Sequence, residues 1–93
     1  MSFPEPPTSQ PNILEEALEI TAKDRQEIYG SPKENWGRTA AIFNAMTGLS
    51  LTPGECVKMA IAMKLARLHK SPKHRDSKTD LAGYAWVLDE VER

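Results

Sequence analysis

Cysteine is almost missing from this chain: Cys56 is the single one in 93 residues. One thiol closes no internal disulfide and builds no thiolate zinc site. Standing beside Val57 in an apolar helical pattern, it reads as a core thiol. Long apolar runs are missing too. Nothing approaches the ~20 residues of a membrane span, and no charged-then-apolar leader precedes the first helical pattern, so a cytoplasmic protein without membrane contact is expected. No segment alternates apolar and polar residues with β-branched enrichment, which leaves no strand to propose. Walker loops, zincin histidine pairs, dinucleotide fingerprints and support for serine–histidine–aspartate catalysis are all lacking. Nor is there an excess of one charge. Twelve Lys and Arg face thirteen Asp and Glu, a formal net of −1, which argues against bulk electrostatic binding to nucleic acid.

What is present is helical punctuation. Residues 1–11 carry four prolines (Pro4, Pro6, Pro7 and Pro11) and read as a disordered tail before a single helical domain over 12–93. Asn12 caps a first helix over Ile13–Ile28, whose face is Leu14, Ala17, Leu18, Thr21, Arg25 and Ile28, with Gly30 at its close. Ser31-Pro32-Lys33-Glu34 starts a second helix, with Trp36, Ala40, Phe43 and Thr47 at helical spacing and Gly48 at its end. Thr52-Pro53-Gly54-Glu55 repeats the signal for a third helix, reaching about His69. Its stripe is Val57, Ala60, Ile61, Lys64, Leu65 and Leu68, and Met59, Met63 and Ala66 widen it toward burial on more than one side. A fourth helix, capped by Asp76 or Ser77, carries Leu81, Ala85, Leu88 and Val91 as its core face. The expected fold is all-α: a compact bundle of four helices with short connections. A domain of about eighty residues is marginal alone, so a homo-oligomer is expected.

Six of the twelve basic residues (Lys64, Arg67, Lys70, Lys73, Arg75 and Lys78) lie within fifteen positions, with His69 and His74 among them. Lys64 and Arg67 leave neighbouring turns of one helix face, and Lys64 interrupts an apolar stripe, so it needs a carboxylate or a cleft edge. Asp76 and Asp80 share a face of the fourth helix, with Tyr84 on the next turn. Packed antiparallel, the two rows confront each other. One reading is interhelical salt bridges. The other is a ligand site in which Arg67, His74 and Arg75 hold phosphate oxygens, Asp76 and Asp80 orient basic groups or a Mg²⁺ ion, and Tyr84 stacks on a base. Gly83 requires close approach by a helix or a ligand. Glu15, Glu16 and Glu19 could hold Mg²⁺ with a second acidic helix, or simply complement a helix dipole. Near Gly30, the amides of Ser31–Glu34 could take an anion while Tyr29 or Trp36 stacks on a base, or Trp36 could anchor the core.

Arg25-x-x-x-Tyr29-Gly30, Asn35-Trp36, Lys64-x-x-Arg67-Leu68 and Pro72-x-His74-x-Asp76-Ser77-x-x-Asp80-x-x-Gly83-Tyr84 give the chain a resemblance, across residues ~13–91, to a family of short all-α phage and prophage proteins. The family's name implies no activity. More distantly the chain is similar to phage nucleotide-modification-associated domains and to MazG-like all-α nucleotide pyrophosphatases. These last bind Mg²⁺ with a Glu-Glu-x-x-Glu helix and a Glu-x-x-Asp helix. Glu15, Glu16 and Glu19 match the first element; Asp76-x-x-x-Asp80 departs from the second. With its phosphate donors and stacking faces, the chain is read first as a phage nucleotide-binding protein in the host cytoplasm, acting on the nucleotide pool or sequestering a host nucleotide signal. A Mg²⁺-dependent pyrophosphohydrolase using Glu15, Glu16, Glu19 and Asp80 is the second reading, and a structural or protein-interaction module the third.

Overall fold

A computed structural model describes residues 12–24 and 30–93, with side chains of the first stretch as far as Thr21. The proline-rich tail and the segment holding Arg25, Ile28 and Tyr29 lie outside the described residues. Helix α1 spans Ile13–Leu18, and a π-helical segment, Glu19–Asp24, continues it. Helices α2 (Pro32–Thr47), α3 (Pro53–Lys70) and α4 (Arg75–Glu92) follow. No strand occurs among the described residues. The expected four-helix architecture stands.

The starts follow the punctuation. Asn12 Oδ1 accepts the Leu14 amide at 2.8 Å, and Ser31 Oγ accepts the Glu34 amide at 3.2 Å. At α3 a full capping box forms: Thr52 Oγ1 accepts from Glu55 N, and Thr52 N donates to Glu55 Oε1 at 2.9 Å. The Thr52 amide, then its hydroxyl, hold the Glu55 carboxyl below the usual carboxylate range. The ionised form is the one the fold favours, so this contribution is full above the ordinary glutamate pKa. It fades as pH falls through the lowered value. Gly48 closes α2 in the left-handed region at φ 76°, where a side chain would be strained. The turn that follows is clamped by one carboxamide. Asn44 Nδ2 donates to Leu51 O and Asn44 Oδ1 accepts from Leu51 N, both at 3.0 Å.

The start of α4 differs from expectation. His74 is the cap, not Asp76 or Ser77. Its Nδ1 lies 2.8 Å from Ser77 Oγ and accepts the Ser77 amide at 3.3 Å. Histidine Nδ1 can take this role because it sits about as far from its Cα as an asparagine side-chain oxygen. His74→Ala is expected to lower stability by about 1 kcal/mol, the usual worth of an N-cap, and His74→Asn to keep most of it. Urea melts of both variants check this; equal losses would show that the ring contributes something other than capping.

Helix α4 is the centre of the molecule, packing most extensively on α3 and next on α1. Lys64 meets Asp80 and Gly54 meets Glu92, so α3 and α4 run antiparallel. Glu16 meets Arg75 and Thr21 meets Gly83, so α1 runs parallel to α4. Flanked on two sides, α4 has no single apolar stripe. Its buried positions are Ser77, Thr79, Gly83 and Val87, while Leu81, Leu88 and Val91 are half-buried and Ala85 is exposed. The remaining buried apolar side chains among the described residues are small as well: Ala17, Ala40, Cys56 and Val57. The other displaced expectations share a cause. Leu14, Leu18, Leu65, Met59 and Met63 lie on helix faces that no other described helix covers.

The α-helix gives way to π geometry where Thr21 Oγ1 donates to Ala17 O at 2.7 Å. That hydroxyl competes for the carbonyl that the α-helical ladder reserves for the Thr21 amide. Next to it, a Cβ placed on Gly83 would lie 2.7 Å from Thr21 Cγ2 and 4.0 Å from Ala17 Cβ. Close helix approach is therefore what the glycine serves.

Candidate functional site

A cleft opens between the α1–π segment, the start of α2 and the middle of α4. Buried Ala17, Thr79 and Val87 form its floor. Half-buried Ile20, Thr21, Gly30, Pro32, Asn35, Trp36, Asp80 and Tyr84 form its walls. The Trp36 and Tyr84 rings meet edge to face there, with centroids 6.1 Å apart and planes at 79°, a favoured aromatic geometry. The cavity proper is about 40 Å³, room for a few waters only. Beyond it the cleft is open to solvent, so any ligand would sit largely at the mouth.

Polar groups on the walls are few. Asp80 Oδ2 lies 2.7 Å from Lys64 Nζ, with side chains 29% and 15% exposed, so the carboxylate is anchored while one edge still faces the cleft. Thr79 Oγ1 is committed to Arg75 O at 3.1 Å, and Thr21 Oγ1 to Ala17 O. The Asn35 carboxamide makes no hydrogen bond to another described residue. Its donor and acceptor are thus available at the mouth.

The structure divides the residues that the sequence grouped. It brings Asp80, Tyr84 and Trp36 to one cleft and ties Lys64 to it through Asp80. Arg67 is exposed on α3, and no α3 residue lines the cleft. The opening beside Asp80 thus lies toward α1 and α2, not between the basic end of α3 and the aspartate row. His74 serves as the α4 cap. Asp76 is exposed in the first turn of α4, where a carboxylate complements the helix dipole. Arg75 Nη2 donates to Glu16 Oε2 at 2.7 Å, pinning α1 to α4. Tyr29 lies outside the described residues.

The acidic set does not assemble around a cation. Glu16 is held by Arg75, Glu15 and Glu19 are exposed, and no group of three or more His, Cys, Asp or Glu residues among the described ones could hold a metal. Among the described residues, the donors do not fit the Mg²⁺ site of a pyrophosphatase. Thr21, Thr79 and Ile20 are wall and floor residues that sequence reasoning missed. Small or β-branched residues at helical spacing carry no signal for a cleft.

Residues 12–92 match the family described as "Domain of unknown function (DUF6378)". The chain belongs to that family. Among curated proteins, the chain is 38% identical over 82 residues to the Gene 55 protein of Mycobacterium phage L5, covering 87% of this chain and 53% of that protein. It is 35% identical over 80 residues to the Gene 55 protein of Mycobacterium phage D29, covering 86% of this chain and again 53% of that protein. These relatives are phage proteins, and the chain spans about half their length. No solved structure matches. Among the described residues, no helix is long and apolar enough to cross a membrane.

Proposed function

We propose that this DUF6378 chain is a binding protein for a nucleobase-bearing small molecule, held at the mouth of the Trp36–Tyr84 cleft. One observation carries the reading. Of six aromatic residues in the chain, two meet at a cleft whose rim also holds an uncommitted carboxamide and an anchored carboxylate. Ring faces stack on a base, worth about 1–3 kcal/mol per base. Asn35 can donate and accept along a base edge, and Asp80 can accept from an exocyclic amino group or a ribose hydroxyl. Binding of this kind requires no base or metal, which suits a protein that sequesters a nucleotide or nucleotide signal. The arginines expected to hold phosphate do not line the cleft, so recognition rests on the base and sugar, with the phosphates outside.

Titration of the full chain with nucleosides, nucleotides and cyclic dinucleotides, followed by Trp fluorescence and calorimetry, tests the reading. At least one ligand is expected to bind. Asn35→Ala should weaken it about tenfold, the loss of one good hydrogen bond. Tyr84→Leu should weaken it more, with the fold retained by circular dichroism. Chromatography of the same mixtures with Mg²⁺ should show the ligand unchanged. Absence of binding across the panel, or affinity indifferent to both substitutions, would remove the proposal; turnover would replace it with an enzyme.

A further inference from the structure

We infer that the outer face of the α2–α3 hairpin is the interface at which a second copy of this chain docks. Taking about 100° per residue, Ile42 and Met46 stand two and six positions past buried Ala40, and Met59 and Met63 stand two and six past buried Val57. Both pairs are therefore turned roughly 200–240° from those two residues, and on α3 the row continues from buried Cys56, three and seven positions before Met59 and Met63. The short Asn44-clamped turn joins α2 and α3 into one hairpin, and both pairs are exposed on it. Leu49 in that turn continues the surface. The five side chains are between 40% (Met59) and 78% (Met46) exposed.

The sequence behind this surface lacks charge. From Thr39 to Gly54 there is no Asp, Glu, Lys or Arg, and exposed Ala41, Ala45, Ala62 and Ala66 fill the gaps between the larger side chains. Solvated helix faces normally carry charge, whereas interface centres lose it and gain methionine. The large side chains alone present roughly 400–500 Å² of apolar surface, the size of the largest patch on a typical monomer, which is often functional. With the alanines and a rim of Arg38, Glu55 and Lys58, the face approaches the ~800 Å² per partner of a stable pair.

A second copy is the occupant these features favour. In a two-fold pair each patch meets itself, which a patch of one charge sign resists and an uncharged methionine-rich one permits. The chain also gains most from such cover, since its buried apolar side chains are few and small. None of these residues lines the Trp36–Tyr84 cleft, so the two proposals stand or fall separately.

Light scattering and sedimentation of the full chain should give twice its 10.4 kDa mass at micromolar concentration. The double variant Ile42→Glu/Met63→Glu should run as a helical monomer, and Leu65→Glu, on another exposed face, should stay paired. Because the double variant could lose its fold, a second measurement uses the unaltered protein. In a mixture of labelled and unlabelled chains, intermolecular contacts should appear at the Met46, Met59 and Met63 methyl groups. A monomeric unaltered chain at 100 µM (a concentration on the order of that used for weak pairs), a folded double variant that stays paired, or contacts confined to Leu14 and Leu18 would each overturn the inference.

Discussion

Replacing Gly83 with alanine is expected to lower stability by about 1 kcal/mol, against the ordinary preference of a helix interior. Alanine is worth about 1 kcal/mol more than glycine in a helix, so an exposed site would gain. Here the new methyl would sit 2.7 Å from Thr21 Cγ2, about 1 Å inside carbon–carbon contact. Neither partner yields easily, because Gly83 is backbone within α4 and Thr21 is tied by its hydroxyl to Ala17 O. Overpacking of this kind costs about 1–3 kcal/mol, and the upper part of that range exceeds the helical gain. For a domain of this size the loss corresponds to a melting temperature lower by roughly 4–8 °C. Thr21→Ser removes the obstructing methyl and keeps the hydroxyl, so Gly83→Ala/Thr21→Ser should recover most of the loss. Thermal melts of the four proteins decide it. A stabilised Gly83→Ala, or no recovery in the pair, would mean that α1 and α4 are not held at this spacing.

Breaking the Lys64–Asp80 pair is expected to cost about 2 kcal/mol from either side. Fully exposed pairs contribute about 0–1 kcal/mol, and losing one member of a fully buried pair costs about 3–5. This pair, at 15% and 29% exposure with 2.7 Å between the charged atoms, lies between those limits. Lys64→Met leaves Asp80 without its counter-ion at the cleft wall, and Asp80→Asn leaves a largely buried ammonium. The double variant Lys64→Met/Asp80→Asn should be more stable than the two separate losses sum to, by at least about 1 kcal/mol, because neither charge is then stranded. Urea denaturation of all four proteins gives the coupling. Simple additivity would show that the contact carries no energy of its own. By the same reasoning, Arg93–Asp89 and Lys58–Glu92, at least half exposed on both sides, should contribute little.

Much of this fold could be read from local chemistry. Ser31-Pro32 and Thr52-Pro53 name the starts of α2 and α3, because cap hydroxyls and first-turn prolines act within four residues. Gly48 names an end for the same reason. His74 was missed as a cap because its ring is not among the usual short capping side chains. Burial was less legible. Leu14, Leu18, Met59, Met63 and Leu65 are apolar at helical spacing, but periodicity marks a face without saying whether anything lies against it. The converse holds for α4, whose buried row of Ser77, Thr79, Gly83 and Val87 is nearly silent to hydrophobicity. In the candidate site, Lys64 and Asp80 betrayed their pairing, one as a charge on an apolar stripe and the other by its helical spacing. Arg75 and Glu16, 59 residues apart, gave no such hint, since only the parallel docking of α1 on α4 unites them. That docking also turned the opening beside Asp80 toward α2 and left Arg67 outside it.

The missing side chain at Gly83 has a reach beyond its own contact. Ala17, which lies 4.0 Å from where a Gly83 Cβ would stand, also lines the aromatic cleft with Thr79. Thickening the helix at that point should prise the cleft apart as well as weaken the molecule. A guest too bulky for the mouth would work the same wedge from the opposite direction. Cleft width and melting temperature are therefore two readouts of one interhelical distance.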